Sequence, residues 1–298
     1  MRFLARKARP LIKCYGGKAY LARWIVSLLP EHAVYVEPFS GGLNVLLNKP
    51  RAWAEVVCDV NASLVNLYQV VGSPVLFPLF ADLVCRSGKG ERGLEYNEST
   101  FLVAKLGAAA LADAARRGAS VDRVAWAVQY LVSRRYSCNG LGEDFAWSNR
   151  LRGGLPGDEN AWLNFKADLH LLHERLCGVD VRLVDGISAR NGNTVLDVVK
   201  AWGGPDAVFY CDPPYPRDTR TVKTSYADCE MTDQEHLDLL NVLVGVQARG
   251  IFLSTYWNDM YAQVLGAAGW DYTFRCMPNH SGRGASKQRR REILWFRV

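Results

Sequence analysis

The sequence predicts an α/β protein with a doubly wound, mostly parallel sheet of seven strands and an inserted, mainly helical subdomain. Two observations lead to this prediction. Short apolar runs of strand composition alternate with helical patterns, which is typical of a parallel sheet covered by helices. The alternation stops between residues 74 and 176, where an alanine-rich stretch at 104–115 and an apolar one at 124–132 predict helices. The predicted boundaries are 1–73 and 178–298 for the sheet domain and 74–177 for the insertion.

Seven segments have the length and composition of strands. They are residues 33–37, 55–59, 179–185, 207–211, 251–255, 270–275 and 293–298. Helices are predicted at 63–71, at 195–202 and after Thr232. Thr232 and Glu235 have the spacing of a capping box, and leucines recur behind them at helical intervals. The apolar face of this last helix should therefore pack on the sheet.

Size and composition limit the class of protein. The 298 residues are 49% hydrophobic and 22% charged, which predicts one main domain with a buried core plus an insertion. No apolar run approaches the length of a membrane span, and the first ten residues lack the apolar centre of a secretion signal, so a cytoplasmic protein is expected. The eight cysteines include no C-x-x-C pair, which argues against a disulfide framework and a zinc site.

The basic residues are grouped although the net charge is only +6. One group lies near the start and the other near the end of the chain; they are Arg2, Arg6, Lys7, Arg9 and Lys13, and Lys287, Arg289, Arg290 and Arg291. Such groups indicate a polyanion as partner, and a solvated surface is the equal alternative.

The first motif, VYVEPFSGG at residues 34–42, joins a strand to a turn of small residues. Glu37 closes this strand and Asp59 closes the next predicted one, 22 positions later. A carboxylate at that spacing suits a ribose hydroxyl, and ligands of α/β proteins bind where strands end. S-adenosylmethionine would offer such a hydroxyl together with a cationic sulfonium and an ammonium group. The alternatives are a structural Gly-Gly turn and a helix cap formed by residues 59–61.

The second motif, DPPY at residues 212–215, ends an apolar strand. Two consecutive prolines remove two backbone donors and stiffen the turn. The Asp212 carboxylate and the Pro213 carbonyl remain as acceptors beside the aromatic ring of Tyr215. An exocyclic amine of a planar base could donate to both while its ring stacks on the tyrosine. This arrangement predicts methyl transfer to an amine without a metal or a covalent nucleophile; a surface turn is the alternative.

These motifs resemble the Dam-type adenine-specific DNA methyltransferases, and the resemblance covers almost the whole chain. The further elements that carry it are KCYGGK at 13–18, CDVN at 58–61 and ILWF at 293–296, which follow the order of the family. The resemblance implies a Rossmann-like domain that binds S-adenosylmethionine, an enzyme that methylates the exocyclic amine of adenine, and duplex DNA as partner. No metal is implied, and a monomer is expected.

The resemblance also implies roles for individual residues. Asp212, Pro213, Pro214 and Tyr215 would hold a flipped adenine, which is otherwise buried in the duplex. The methyl-donor pocket would be lined by Tyr15, Lys18, Glu37, Pro38, Phe39, Gly41, Asp59, Asp185 and Ile187. The chain departs from the family pattern at Cys14 and Tyr15, where the aromatic residue is shifted by one position, and after Asp185, where Gly-Ile replaces an aromatic residue. These departures imply a changed donor contact at Tyr15 and thinner packing against the adenine of the donor beside Asp185.

The insertion occupies the position of the target-recognition region in this family. A polar segment at 133–154, which is predicted to be a loop outside the core, carries residues suited to phosphates and base edges. They are Arg134, Arg135, Asn139, Arg150 and Arg152. The segment does not reproduce the one associated with GATC recognition. An RNA methyltransferase and an inactive DNA-binding relative remain as alternatives to the DNA methyltransferase. His170 and His173 lie three positions apart in a predicted helix, and surface or packing roles are expected for them rather than a shared metal ion.

Overall fold

The structure is a computed structural model that describes residues 9–13, 17–86, 94–148, 150–188, 192–220, 230–278 and 289–298. Within these ranges the strands are β1 (Val34–Glu37), β2 (Ala54–Asp59), β3 (Leu151–Arg152), β4 (Leu155–Pro156), β5 (Asp180–Leu183), β6 (Gly204–Cys211), β7 (Ala248–Thr255), β8 (Asp271–Pro278) and β9 (Arg289–Arg297). The helices are α1 (Ala22–Leu28), α2 (Ala62–Gly72), α3 (Phe77–Cys85), α4 (Glu98–Arg116), α5 (Arg123–Arg135), α6 (Gly157–Ala167), α7 (Leu169–Leu176), α8 (Val195–Ala201), α9 (Asp233–Gly245) and α10 (Asp259–Ala267).

Seven of the described strands form one sheet in the order β5-β2-β1-β6-β7-β9-β8. β1 is parallel to β2 and β6, and β6 is parallel to β7. β9 is antiparallel to both β7 and β8. The last two strands therefore form an antiparallel pair, in which β8 is the outermost strand of the sheet. The predicted fold class, a Rossmann-like and mostly parallel seven-stranded sheet, is confirmed.

The strand bounds differ most from the prediction at the end of the chain. β9 begins at Arg289, whereas the apolar pattern placed its start at residue 293. Arg291 and Glu292 pair with Cys276 and Arg275 in β8, so the ladder continues past the apolar residues. Antiparallel backbone pairing does not require apolar side chains, and sequence periodicity therefore underestimates such strands.

The chain divides into two compact units. One comprises residues 28–40, 51–60 and 184–298, and the other comprises residues 1–27, 41–50 and 61–183. We call them the sheet unit and the helical unit. The predicted domain boundaries after residues 73 and 177 stay a prediction.

The core of the sheet unit lies on one face of its strands. Val36, Phe209 and Leu253 belong to a buried cluster with residues of α8, α9 and α10. Because strand side chains alternate between faces, the neighbouring residues Tyr35, Glu37, Tyr210, Ser254 and Glu292 lie on the opposite face. That face is also buried, but it carries hydroxyls and carboxylates.

In the helical unit, α5 packs against both α2 and α4, and α7 packs against α2. Trp126 of α5 donates its indole N–H to Ser63 of α2 at 3.1 Å. Asn97 and Asp122 cap α4 and α5 by accepting backbone N–H bonds of the first turn, which fixes where these helices begin. No single helix in the described ranges has the length and apolar character of a membrane span, although α2 and α3, bent by 102°, pass that test jointly.

The predicted capping box is present at the start of α9. Thr232 accepts the backbone N–H of Glu235 at 3.2 Å, and the Glu235 carboxylate accepts the N–H of Thr232 at 2.8 Å. The capped helix directs His236 inward, where the side chain is fully buried against Tyr261 of α10.

The pH dependence of stability should report on His236. Burial lowers the pKa of His236 to about 4, and its Nδ1 atom lies 2.9 Å from the Tyr261 hydroxyl. The unfolded state takes up this proton near pH 6.5 and the folded state does not, so the stabilisation is complete above pH 6.5 and falls as the pH drops toward 4. When the pH is lowered from 7 to 4.5, the unfolding free energy of a His236→Gln variant should fall by about 2–3 kcal/mol less than that of the parent protein. Urea denaturation at several pH values measures this, and parallel curves would contradict it.

Candidate active site

The turn after β1 is fixed to the end of β2. The Ser40 N–H donates to the Cys58 carbonyl at 2.8 Å, and the Ser40 hydroxyl donates to the Asp59 carboxylate at 3.1 Å. Gly41 follows with φ +43°, in the left-handed region that favours glycine. The SGG sequence thus provides both a hydrogen bond across the strand ends and the required backbone conformation.

Glu37 and Asp59 lie at the carboxyl ends of neighbouring parallel strands. Glu37 is opposite Val57 in the register and is only 2% exposed, with the Tyr35 hydroxyl donating to its carboxylate at 3.0 Å. The cap of α2 is Asn61, whose side chain accepts the Leu64 N–H at 3.1 Å. Asp59 therefore does not cap this helix, and its carboxylate faces the turn after β1.

A third carboxylate joins this edge of the sheet. The Val184 N–H donates to the Asp59 carbonyl at 3.1 Å, which places the exposed Asp185 next to the end of β2. Gly186 has φ +121°, which only glycine adopts readily, and a Cβ atom there would meet open space. Ile187 is 4% exposed and packs in the core cluster beside α8.

The other residues predicted to line the donor pocket have varied environments. Pro38 is buried, and Phe39 is half-buried against the core cluster of the sheet unit. Lys18, in the helical unit, is 7% exposed, and its carbonyl accepts the N–H groups of Leu21 and Ala22 at the start of α1. Tyr15 lies outside the described residues.

The DPPY motif follows the last residue of β6, as predicted. Asp212 is half-buried, and Tyr215 is 5% exposed. The Tyr215 hydroxyl donates to the carboxylate of Glu292 in β9, and its ring meets the Tyr256 ring edge-on at 4.9 Å between centroids. A base that stacks on Tyr215 must therefore displace neighbouring groups.

Glu292 was missed by the sequence reasoning. The available signal was a single carboxylate between the basic group that ends at Arg291 and the apolar run ILWF that begins at residue 293. Glu292 is 8% exposed, and a buried carboxylate needs hydrogen-bond donors.

Burial and nearby carboxylates keep the tyrosines of this region protonated. Burial, then Glu292 and Asp212, raise the pKa of Tyr215 well above its ordinary value. Burial, then Asp212, raise the pKa of Tyr210, to which Glu37 and Glu292 also contribute. The Tyr215 hydroxyl is therefore a hydrogen-bond donor at neutral pH and not a proton acceptor. The surrounding carboxylates favour a cationic ligand.

In the helical unit, two of the five predicted DNA-binding residues are engaged internally. The Arg134 guanidinium donates to the Leu141 carbonyl at 2.6 Å, and the Arg135 guanidinium donates to the carbonyls of Leu11 and Pro10. Arg135 also lies over the Phe165 ring at 3.8 Å. This geometry favours a structural role for Arg135 over the predicted DNA contact.

The expectation that residues 133–154 form a loop outside the core is wrong for its first part. α5 extends through Arg135, and Tyr136 and Ser137 are fully buried. The Ser137 hydroxyl donates to the Arg134 carbonyl at 3.0 Å and accepts the Gly142 N–H at 2.8 Å. Polar residues can be buried here because their hydrogen bonds are satisfied internally.

The remaining predicted DNA-binding residues are exposed. Asn139 has φ +54° in a turn, and Arg150 and Arg152 flank the start of a small hairpin. β3 and β4 pair antiparallel around Gly153 and Gly154, whose φ values of +61° and +82° fit a two-residue type I′ turn. The Gly-Gly sequence thus builds a tight hairpin that presents arginines to solvent.

Of the histidines at positions 170 and 173, His173 makes packing contacts with other parts of the helical unit. The His173 ring stacks on Phe77 at 4.0 Å, and its Nδ1 atom lies 2.7 Å from the Val71 carbonyl. Among the residues that the structure describes, no group of three or more potential ligands could hold a metal ion.

The sheet topology, the acidic strand ends and the DPPY turn are consistent with a Rossmann-like methyltransferase fold. Residues 15–109 match the family of D12 class N6 adenine-specific DNA methyltransferases. The chain is also similar to a protein of Serratia marcescens named DNA adenine methylase, with 27% identity over 254 residues that cover 82% of each chain. Both similarities support a Dam-type adenine-specific DNA methyltransferase and confirm the resemblance inferred from the motifs.

The internal bonds of Arg135 lead to a stability prediction. Arg135→Gln should lower the unfolding free energy by about 2–3 kcal/mol, because the carbonyls of Leu11 and Pro10 lose a charged donor. Exposed Arg150→Gln is the matched control and should change it by less than about 0.5 kcal/mol. Urea denaturation measures both variants. Unchanged stability of Arg135→Gln combined with weakened DNA binding would restore Arg135 as a DNA contact.

Proposed function

We propose that this protein transfers a methyl group from S-adenosylmethionine to the exocyclic amine of a flipped adenine in duplex DNA, acting in the cytoplasm. The observation that carries the proposal is the DPPY turn, which ends β6 beside acidic neighbouring strand ends and whose tyrosine is held by Glu292. In this proposal residues 1–73 and 178–298 bind the donor, and residues 74–177 recognise the target.

The chemistry of the strand ends fits this donor. Carboxylates of Glu37, Asp59 and Asp185 suit ribose hydroxyls and cationic groups, and the turn held by Ser40 lets the backbone approach a ligand. The remaining proposed contacts are Tyr15, Lys18, Pro38, Phe39, Gly41 and Ile187. When bound, the donor supplies an electrophilic methyl group on a sulfonium, which passes to the amine nitrogen as the bond between sulfur and methyl carbon breaks.

The DPPY residues would orient the amine. Asp212 and the Pro213 carbonyl accept its two N–H bonds, which holds the nitrogen in place and draws electron density onto it. Pro214 stiffens the turn, and Tyr215 offers an aromatic surface to the base. The amine proton then leaves to Asp212 or water. The rate enhancement would come mainly from orientation and electrostatics.

Duplex DNA would be held in part by the β3–β4 hairpin. Arg150 and Arg152 are exposed and suited to phosphates or base edges, and Asn139 is exposed nearby in sequence. Arg134 is half-buried and bonded within its own unit, so its contribution to DNA contact would require that bond to open.

The proposal is tested by incubating the protein with S-adenosylmethionine and unmethylated duplex DNA. Digestion and mass spectrometry detect methylated adenine, and sequencing maps its position. Methyladenine in a defined context is the expected result. Transfer to RNA in preference to duplex DNA would favour the RNA methyltransferase, and absence of donor binding would overturn the proposal.

Replacing Asp212 should abolish methyl transfer. Asp212→Ala removes an acceptor of the amine, and kcat should fall by at least about 100-fold while DNA affinity stays within about 3-fold. Asp206→Ala is the matched control, since Asp206 is an exposed aspartate at the opposite end of the same strand. Radiolabelled methyl transfer and a DNA-binding titration measure the two quantities. Full activity of Asp212→Ala would exclude the assigned role.

Replacing the hairpin arginines should weaken DNA binding and its salt dependence. Each phosphate contact releases counterions, so Arg150→Gln and Arg152→Gln should each reduce the slope of log K against log salt by about 0.9. Arg117→Gln is the control, because Arg117 is an exposed arginine paired with Asp113 at the end of α4. Fluorescence anisotropy at several salt concentrations gives the slopes. Equal slopes for all variants would show that the hairpin does not touch phosphate.

A further inference from the structure

We infer that Glu292 is a positioning residue that fixes the Tyr215 ring for the target base before the base arrives. The inference rests on the proposed function, because it concerns how the DPPY turn receives an adenine. The observation behind it is the buried hydrogen bond from the Tyr215 hydroxyl to the Glu292 carboxylate.

The sheet topology explains how Glu292 reaches the DPPY turn. β9 is antiparallel to β7, and Ile293 pairs with Thr255, the last residue of β7. Glu292 therefore lies one position further, beyond the carboxyl end of β7. Since β6 and β7 are parallel neighbours, the turn after β6 lies at this same edge. A parallel final strand would begin at the opposite edge of the sheet.

Tyr215 is held at two points that come from different strands. Glu292 accepts its hydroxyl, and Tyr256, directly after β7, meets its ring edge-on with an interplanar angle of 78°. A hydroxyl anchored at the far end of the side chain restricts rotation about both of its torsions. The protein thus sets the orientation of the Tyr215 ring. Because the ring is already ordered before the base binds, stacking of the base does not carry the entropic cost of ordering it.

The carboxylate is suited to this task and poorly suited to a purely packing role. A buried carboxylate is costly without donors, and an apolar residue at position 292 would continue the apolar strand behind it. A charged acceptor makes a stronger bond than a neutral one, and it keeps the hydroxyl a donor. A ring face is then what Tyr215 can offer a base, once the base has displaced the groups that cover that face.

The test compares Glu292→Gln, Glu292→Leu, Tyr215→Phe and the double variant Tyr215→Phe/Glu292→Leu. Glu292→Leu should lower kcat on the order of 10- to 100-fold through misorientation. Its KM for DNA should change less than about 3-fold, because phosphate contacts dominate affinity. Glu292→Gln, which retains an acceptor, should recover activity to within about 3-fold of the parent. The double variant should be no worse than Glu292→Leu alone, because both changes remove the same bond.

A fluorescent base reports the stacking on Tyr215 directly, and its fluorescence lifetime would not change if Glu292 only stabilised the fold. We would place 2-aminopurine at the mapped target adenine of a duplex oligonucleotide and measure its fluorescence lifetime in the complex. The fluorophore is quenched when it stacks on an aromatic ring. A longer lifetime is expected with Glu292→Leu than with the parent or Glu292→Gln.

Tyr261→Phe is the matched control, since it also removes a buried tyrosine hydroxyl, which lies 2.9 Å from His236. It should lower thermal stability and leave kcat and the lifetime unchanged. The inference would be overturned if Glu292→Leu had the kcat and the fluorescence lifetime of the parent. It would also be overturned if Tyr261→Phe, at the same loss of stability, lost as much kcat as Glu292→Leu. Absence of methyl transfer by the unaltered protein would instead refute the proposed function.

Discussion

The carboxyl ends of β1, β6 and β7 meet at one edge of the sheet because these strands are parallel neighbours. The strand termini cannot continue the backbone ladder there, and each is followed by a turn that exposes polar groups. The SGG turn after β1 and the DPPY turn after β6 are both products of this constraint. Because β9 is antiparallel to β7, it begins near these strand ends, and it contributes Glu292 there.

The two faces of the sheet differ in the chemistry of their buried side chains. One face packs apolar side chains against α8, α9 and α10 and supplies the hydrophobic stabilisation of the sheet unit. The other buries tyrosines with hydroxyl or carboxylate partners, such as Tyr35 with Glu37 and Tyr210 with Ser254. Each pair compensates the desolvation of its polar atoms, and the pair of Tyr35 with Glu37 also places a carboxylate in the strand next to β6.

The helical unit contains arginines that stabilise its fold and others that are exposed to solvent. Arg134 and Arg135 lie in the last turn of α5, where their guanidinium groups donate to carbonyls of other segments. Arg150 and Arg152 lie on a hairpin too small to bury them. Arginine therefore stabilises the fold at the end of α5 and remains accessible to a polyanion on the hairpin. The difference depends on whether the surrounding backbone supplies carbonyl acceptors and covers the side chain.

The sequence by itself determined the fold class and the chemistry of the strand ends. Alternating apolar runs, the SGG turn and the DPPY motif depend on local periodicity and on the fixed properties of glycine and proline, which operate without distant contacts. Only the tertiary structure decided that Glu292 holds Tyr215 and that Arg135 is committed to Leu11 and Pro10. The three pairs are separated by 77, 124 and 125 positions in the sequence, and no local pattern encodes such pairs. They form because the antiparallel closure of β9 and the packing around α5 bring those segments together.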